Sequence, residues 1–212
     1  GGKKYKTKMM NDLIVPIISA IVGVGGTLLT IWYKHKLSSK RLEEEHICPI
    51  GVCVTEDGLV LGKLKDILQE VNGDRLSIFS FHNGGKYYSG KSMQKMSMSY
   101  EECDNGISST MMQKQNIPVS ACITTLKPLM ETGICGWSDT KDHPEGLCKH
   151  HLKVDGVKST YSWSIIDIYS NIIGVLRLDY VKRKTTLNDS DQEKLKLLAT
   201  QLPGYLHVNK IK

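Results

Sequence analysis

One short segment of the chain combines residue types that could bind a ligand. It mixes hydrogen-bonding side chains with glycines and includes His82, Asn83, Gly84, Gly85, Lys86 and Tyr88. Consecutive backbone N–H groups in a glycine-rich loop can bind an anion, and the lysine adds positive charge. The segment therefore predicts a ligand-binding loop. The alternative is a hairpin loop whose glycines only provide positive φ angles.

The cysteines are the second set of reactive side chains. They stand at positions without any C-x-x-C pair: Cys48, Cys53, Cys103, Cys122, Cys135 and Cys148. Because this spacing is not that of a zinc knuckle, we predict no metal site, although three histidines near Cys148 make a Cys/His site conceivable. The pattern fits buried thiols in a reducing compartment, up to three disulfides in an exported domain, or a redox or metal sensor. Cys148 and His151 are further candidate ligand-binding residues.

Catalytic signatures are missing from the sequence. It contains no P-loop, H-E-x-x-H motif, paired carboxylates or Ser-His-Asp order. Residues 48–212 carry 20 Lys and Arg against 18 Asp and Glu, so this part contributes only +2 of the net charge of +6. These features predict a protein that is not an enzyme and does not bind nucleic acid.

A membrane segment is predicted near the N-terminus. Residues 13–33 are 21 residues without a charge, and a helix of that length is about 30 Å long, which matches a bilayer core. A basic flank, residues 1–12, precedes it, and Trp32 and Tyr33 stand at the expected interface. Lysine and arginine counts on the two sides are equal and do not orient the span, but the scattered cysteines favour a cytoplasmic C-terminal domain. A stripe of small residues predicts homo-oligomerisation through this helix: Ser19, Gly23, Gly26, Thr27 and Thr30.

Residues 34–47 read as a charged helical stalk, and residues 48–212 as one folded domain. Periodicity predicts helices at 59–71, 119–131 and 144–154, and a final helix that Asn188 caps and Pro203-Gly204 ends early. It predicts strands at 75–82, 93–100, 159–167 and 172–181. This order of elements predicts an α+β domain with helices layered on an antiparallel sheet.

The C-terminal third of this domain resembles a GAF domain. Ile173 to Asp179 reads I-G-V-L-R-L-D, like the closing hairpin of that family, and residues 187–202 resemble its terminal capped helix. Arg75 to Phe81 fits its first strand. The resemblance implies a GAF-like antiparallel sheet flanked by helices, and a sensory or regulatory domain that binds a small ligand. Residues 148–152 (CKHHL) also resemble the stretch of bilin-binding GAF domains in which a cysteine carries a tetrapyrrole.

Two functions follow as alternatives, and the cofactor is left open. The first is a single-pass membrane protein whose GAF-like domain senses a small ligand or a protein partner. The second is a lysis protein, because one span followed by one α+β domain of this size is similar to the holins of T-even-like phages.

Overall fold

The structure is a computed structural model that describes residues 32–34 and 50–206. The chain divides into two units, residues 1–48 and 49–212. The predicted basic flank, nearly all of the predicted membrane segment, its small-residue stripe and most of the stalk lie outside the described residues. Trp32, Tyr33 and Lys34 are helical. No helix within the described residues is long and apolar enough to span a membrane.

The second unit contains the predicted helices and strands in their predicted order, together with two short strands at residues 117–118 and 134–137 that the periodicity does not predict. Its helices are α1 (Ile50–Glu70), α2 (Ile123–Thr132), α3 (Leu147–Val154) and α4 (Asp189–Leu206). Its strands are β1 (Arg75–Lys86), β2 (Ser92–Cys103), β3 (Ile117–Pro118), β4 (Ile134–Trp137), β5 (Ser159–Ile166) and β6 (Ile172–Tyr180). Short 3-10 turns at Met111–Gln113, Val119–Cys122 and Thr140–Asp142 join them.

The strands form one sheet in the order β3-β2-β1-β6-β5-β4. Every pair of neighbours in this sheet is antiparallel. Strand β6 is central, and side chains that alternate along it point to opposite faces of the sheet. Leu176, Leu178 and Tyr180 are buried on one face, while Val175 and Arg177 lie on the other. The fold class is therefore α+β, as predicted.

Helices α1 and α4 cover the first face. Leu64 and Leu68 of α1, and Leu195 and Leu198 of α4, pack against the buried side chains of β6 and against Trp163 of β5. The predicted cap is present, since the Asn188 Oδ1 accepts a hydrogen bond of 2.8 Å from the Asp191 N–H. This layer gives the domain its main core.

A smaller apolar cluster covers the second face. Phe79, Met96, Met98 and Val175 of the sheet pack against Cys122, Leu126 and Leu129, which lie at the start of α2 and within it. Gly133 ends α2 in the left-handed conformation with φ 78°, and its N–H bonds to the Leu129 carbonyl at 2.9 Å. The sequence prediction of a stop at this glycine is confirmed.

Several sequence predictions are wrong in their boundaries. Helix α1 begins at Ile50 instead of residue 59, and α3 begins at Leu147 instead of residue 144. The predicted loop His82–Lys86 belongs to β1, because β2 provides pairing partners out to Ser92 and the turn falls at residues 87–91. Glycine is favoured at Gly85, because its φ of 101° is a conformation that other residues rarely adopt. Helix α4 also continues through Pro203 to Leu206, since Leu202 and Pro203 are buried and their packing offsets the lost hydrogen bond.

Candidate functional site

A small cavity lies between the second face of the sheet and helices α2 and α3. Its volume is about 50 Å³. One wall is apolar and includes Phe79, Met96, Leu126, Leu129, Leu152 and Val175. The other groups that line it are polar, aromatic or sulfur-containing: Cys122, Thr125, Trp137, His143, Cys148, Thr160, Ser162 and Arg177. An apolar cavity with a few convergent polar groups is the usual form of a small-molecule site.

Arg177 provides the charged group of this cavity. Its Nη2 lies 3.0 Å from the Asp179 Oδ2, and its Cζ lies 4.7 Å from the centre of the Phe79 ring. These two contacts fix the plane of the guanidinium. The Nε is buried and has no hydrogen-bond acceptor among the described residues. A buried N–H without an acceptor is unfavourable by about 1–3 kcal/mol, so a bound acceptor group would be stabilised there.

A buried network of ion pairs fixes the position of Arg177. The Asp179 carboxylate is fully buried, accepts a hydrogen bond of 2.7 Å from the Thr160 hydroxyl, and lies 3.6 Å from the Nη1 of Arg75. The Nε of Arg75 in turn lies 3.1 Å from the Glu101 Oε1. Two arginines therefore face two carboxylates, and the charges of the network balance.

Glu101 makes the folding of this network sensitive to acid. Burial alone would raise the pKa of Glu101, but hydrogen bonds from Ser109 and Thr110, with the charge of Arg75, lower it below its ordinary value. A lowered pKa in the folded state stabilises the fold above the unfolded-state pKa and loses that contribution as the pH falls through the folded-state pKa.

We therefore expect Glu101→Gln to lower the free energy of unfolding at pH 7 by about 2 kcal/mol, because a charged acceptor is lost. The difference from the wild type should shrink as the pH falls below the ordinary glutamate pKa of about 4.3 and through the lowered folded-state pKa, because the wild-type carboxylate then becomes protonated as well. Urea denaturation at pH 7 and at a series of acid pH values measures it. Glu193→Gln is the control, since that side chain is 73% exposed and pairs with Lys196 on the surface. An unchanged difference at acid pH would contradict the assignment.

His143 is held as a neutral acceptor at the cavity wall. Its Nδ1 lies 2.8 Å from the Pro144 carbonyl and must donate there, so Nε2, at 3.2 Å from the Thr125 hydroxyl, accepts. Burial lowers the pKa of His143, and the charges of Lys149 and Arg177 lower it further. The ring also contacts Trp137 in a tilted arrangement, with centroids 4.2 Å apart and the ring planes at 49°. At neutral pH this histidine contributes shape and hydrogen bonding rather than charge.

Three cysteines adjoin the same cavity. Cys122 and Cys148 line it, and the Cys135 Sγ contacts the Thr125 carbonyl at 3.8 Å. All three are free thiols, as is Cys103, whereas Cys53 is in a disulfide. In the part of the chain that the structure describes, no group of three or more His, Cys, Asp or Glu residues is arranged to hold a metal.

The Cys122 and Cys148 thiols differ in acidity. A hydrogen bond from the Cys122 thiol lowers the pKa of Cys148 to about 7, and contacts with Thr125 and the charges of Arg177 and Lys114 act in the same direction against burial. The pKa of Cys122 is raised, first by its hydrogen bond to Cys148 and then by burial. Burial raises the pKa of Cys135 to about 12. Cys148 is therefore the more acidic thiol of the pair.

The candidate ligand-binding residues predicted from the sequence fall into two groups, and only the group that contains Cys148 includes a residue of the cavity wall. Cys148 lies in the cavity wall, and His151 lies one turn further along α3. In contrast, His82–Lys86 form the end of β1 and Tyr88 lies in the turn beyond it. There, the Asn83 side chain accepts hydrogen bonds from Gly85 and Ser92, and His82 bonds to Ser97 at 2.8 Å.

Sequence reasoning missed most of the polar lining of the cavity: Thr125, Trp137, Thr160, Ser162 and Arg177. His143 entered it only as one of the three histidines near Cys148. Arg177 did carry a signal, because it is a charged residue inside an otherwise apolar strand pattern that should be buried on both faces. The other residues have no such pattern, since they come from separate elements that only the fold brings together.

Comparison with solved structures finds GAF domains. The blue-light absorbing form of the PixJ GAF domain of Thermosynechococcus elongatus has a TM-score of 0.58 at 12% identity, over 75% of this chain and 88% of that chain. A phycoerythrobilin-bound GAF domain from a cyanobacterial phytochrome has a TM-score of 0.57 at 15% identity, over 74% and 89%. The chromophore-binding domain of a bacteriophytochrome from R. palustris has a TM-score of 0.56 at 12% identity, over 73% and 56%.

Residues 50–206 adopt a GAF-like fold. The resemblance drawn from the closing hairpin and the capped helix is thereby confirmed at the level of the fold. No family model matches the sequence, and neither does any of the curated proteins. Because the identities lie between 12% and 15%, the likeness concerns the fold, and the ligand of the GAF-like domain has to be argued from its own residues.

Proposed function

We propose that this protein is a membrane-anchored sensory protein whose GAF-like domain binds a compact ligand in the cavity beneath α2 and α3. The observation that carries the proposal is Arg177, which lines the cavity with a buried Nε that no described residue satisfies. The apolar segment 13–33 supports the anchor. The known GAF structures, two of them described as chromophore-bound or chromophore-binding, support the sensory role.

The chemistry of the cavity selects the ligand class. A carboxylate or carbonyl oxygen would accept from the Arg177 guanidinium, and an apolar body would contact Phe79 and Val175. Because Asp179 already offsets part of the arginine charge, the ligand needs a hydrogen-bond acceptor more than it needs a full negative charge. Thr160 and Ser162 add hydroxyl groups to the polar wall.

The size of the cavity favours a small molecule over a tetrapyrrole. A water needs about 10–15 Å³ of such volume, so 50 Å³ holds about four waters, or a ligand with a similar number of heavy atoms. Cys148, the candidate for covalent attachment, shares the wall of this small cavity with Cys122. We therefore propose a short carboxylic acid, ketoacid or amide.

A thermal-shift experiment on the full chain in mild detergent tests the proposal, with acetate, pyruvate and acetamide as probes. A probe at about 100 times its Kd should stabilise the domain by about 2.7 kcal/mol and raise Tm on the order of 5 °C. Val175→Ile should reduce this shift, because it fills the cavity without touching a charge. Arg177→Met should abolish the shift, whereas Arg183→Met should not, since Arg183 is exposed and bonds only to the Asn72 carbonyl among the described residues. A full shift in the Val175→Ile variant would argue against this cavity.

Native mass spectrometry of the same sample, compared with its denatured mass, identifies a ligand that copurifies. A small adduct lost on denaturation supports the proposal, and recovery of the chain from carbonate-washed membranes supports the anchor. An adduct that survives denaturation would contradict non-covalent binding and indicate attachment to a thiol. The holin alternative rests on the one-span plan alone, and the comparisons give it no support.

A further inference from the structure

The cysteines at the cavity wall have a geometry that ligand binding does not require. Cys122 ends the 3-10 turn Val119–Cys122, and Cys148 is the second residue of α3. The turn and the helix pack against each other, and both cysteines line the same small cavity. Both sulfurs are reduced. Two free thiols on packed elements that face one small cavity can approach each other by side-chain rotation, which is what disulfide formation requires.

The two thiols are also unequal in the way that directional chemistry requires. Cys148 is half-buried and lies near Arg177, whose charge favours its thiolate. Cys122 is 1% exposed and keeps its proton. Since the thiolate is the nucleophile, an oxidant that enters from solvent meets Cys148 first, and Cys122 is placed to resolve the product.

We propose that Cys148 and Cys122 form a peroxide-sensitive switch, in which Cys148 is oxidised and Cys122 closes a disulfide between the 3-10 turn and α3. This inference does not depend on the proposed ligand, because the reaction uses only the two thiols and a hydroperoxide.

The reaction balances in two steps. The Cys148 thiolate attacks the distal oxygen of hydrogen peroxide, an S–O bond forms as the O–O bond breaks, and the departing hydroxide takes up a proton to leave as water. The Cys122 sulfur then attacks the Cys148 sulfenic acid, an S–S bond forms, and the hydroxyl leaves as a second water with the Cys122 proton. In total, two thiols are oxidised by two electrons and one peroxide is reduced to two waters.

The test treats the full chain in detergent with equimolar hydrogen peroxide and then blocks the remaining thiols with iodoacetamide. Digestion needs trypsin together with an enzyme that cuts after glutamate, because Cys122 and Cys135 share one tryptic peptide and Glu131 separates them. We expect a cross-linked pair of peptides containing Cys122 and Cys148, and at least tenfold faster loss of the Cys148 thiol than of the half-buried Cys103 thiol.

Three variants keep the test decisive. Cys122→Ser should leave a Cys148 sulfenic acid that dimedone traps, Cys148→Ser should remove the cross-link, and Cys135→Ser should retain it. A bridge between Cys135 and Cys148 would overturn the assignment of the resolving thiol. Equal reactivity of Cys103 and Cys148, or no bridge in the folded wild type, would overturn the switch itself.

Discussion

Replacing Gly174 with alanine is expected to lower the free energy of unfolding by about 3 kcal/mol, the upper end of ordinary overpacking. This glycine lies on β6 opposite Ser80 of β1. A Cβ there would lie 2.5 Å from the Phe79 carbonyl oxygen. Because that oxygen belongs to the backbone of the neighbouring strand, it cannot give way without opening the β1–β6 pairing that holds Phe79 and Arg177 at the cavity. Urea denaturation followed by circular dichroism measures the loss.

Gly62→Ala is the matched control for this prediction. Gly62 lies inside α1, where a Cβ would meet no described atom within 4 Å. Alanine is favoured over glycine in a helix interior by about 0.5–1 kcal/mol, so this variant should be slightly more stable than the wild type. If both alanine variants changed stability in the same direction, the close contact with β1 would not explain why residue 174 is a glycine.

Replacing Asp179 with asparagine is expected to cost about 4 kcal/mol of unfolding free energy. The carboxylate is fully buried and lies between two guanidinium groups, at 3.0 Å from Arg177 and 3.6 Å from Arg75. The amide keeps the shape but removes the charge, so the guanidiniums retain only Glu101 as a buried partner within this network. Breaking a buried pair in this way is far more destabilising than breaking one on the surface.

The control for this second prediction is Asp104→Asn. Asp104 forms an ion pair of 2.6 Å with Lys182, but the two side chains are 45% and 44% exposed. Solvent screens such a pair, and the expected loss of stability is small beside that of Asp179→Asn. Chemical denaturation at pH 7 and low and high salt compares the two variants, and salt should reduce the cost of Asp104→Asn further. An Asp179→Asn variant as stable as Asp104→Asn would contradict the buried network as described.

The sequence predicted the layered α+β fold because its periodic patterns are local. Leucines at helical spacing in α1 and α4, and alternating side chains in β6, each identify an element without knowledge of its neighbours. The sequence predictions are wrong where contacts with neighbouring elements determine the local structure. The segment His82–Lys86 has the composition of a loop, but pairing with β2 makes it strand. A proline such as Pro203 is expected to end an isolated helix, but α4 continues to Leu206 because Leu202 is buried.

The candidate site also combines residues that the sequence could identify with residues that only the tertiary structure brings together. Cys148 could be selected from the sequence because cysteine and histidine cluster along α3. Arg177 became functional only when β6 placed it beside Phe79 and Asp179. Cys122 and Cys148 are 26 positions apart in sequence, and only the packing of the 3-10 turn against α3 makes them a pair. Local propensities thus determine the elements, whereas the cavity, its buried charge network and its thiol pair arise from long-range packing that no local pattern encodes.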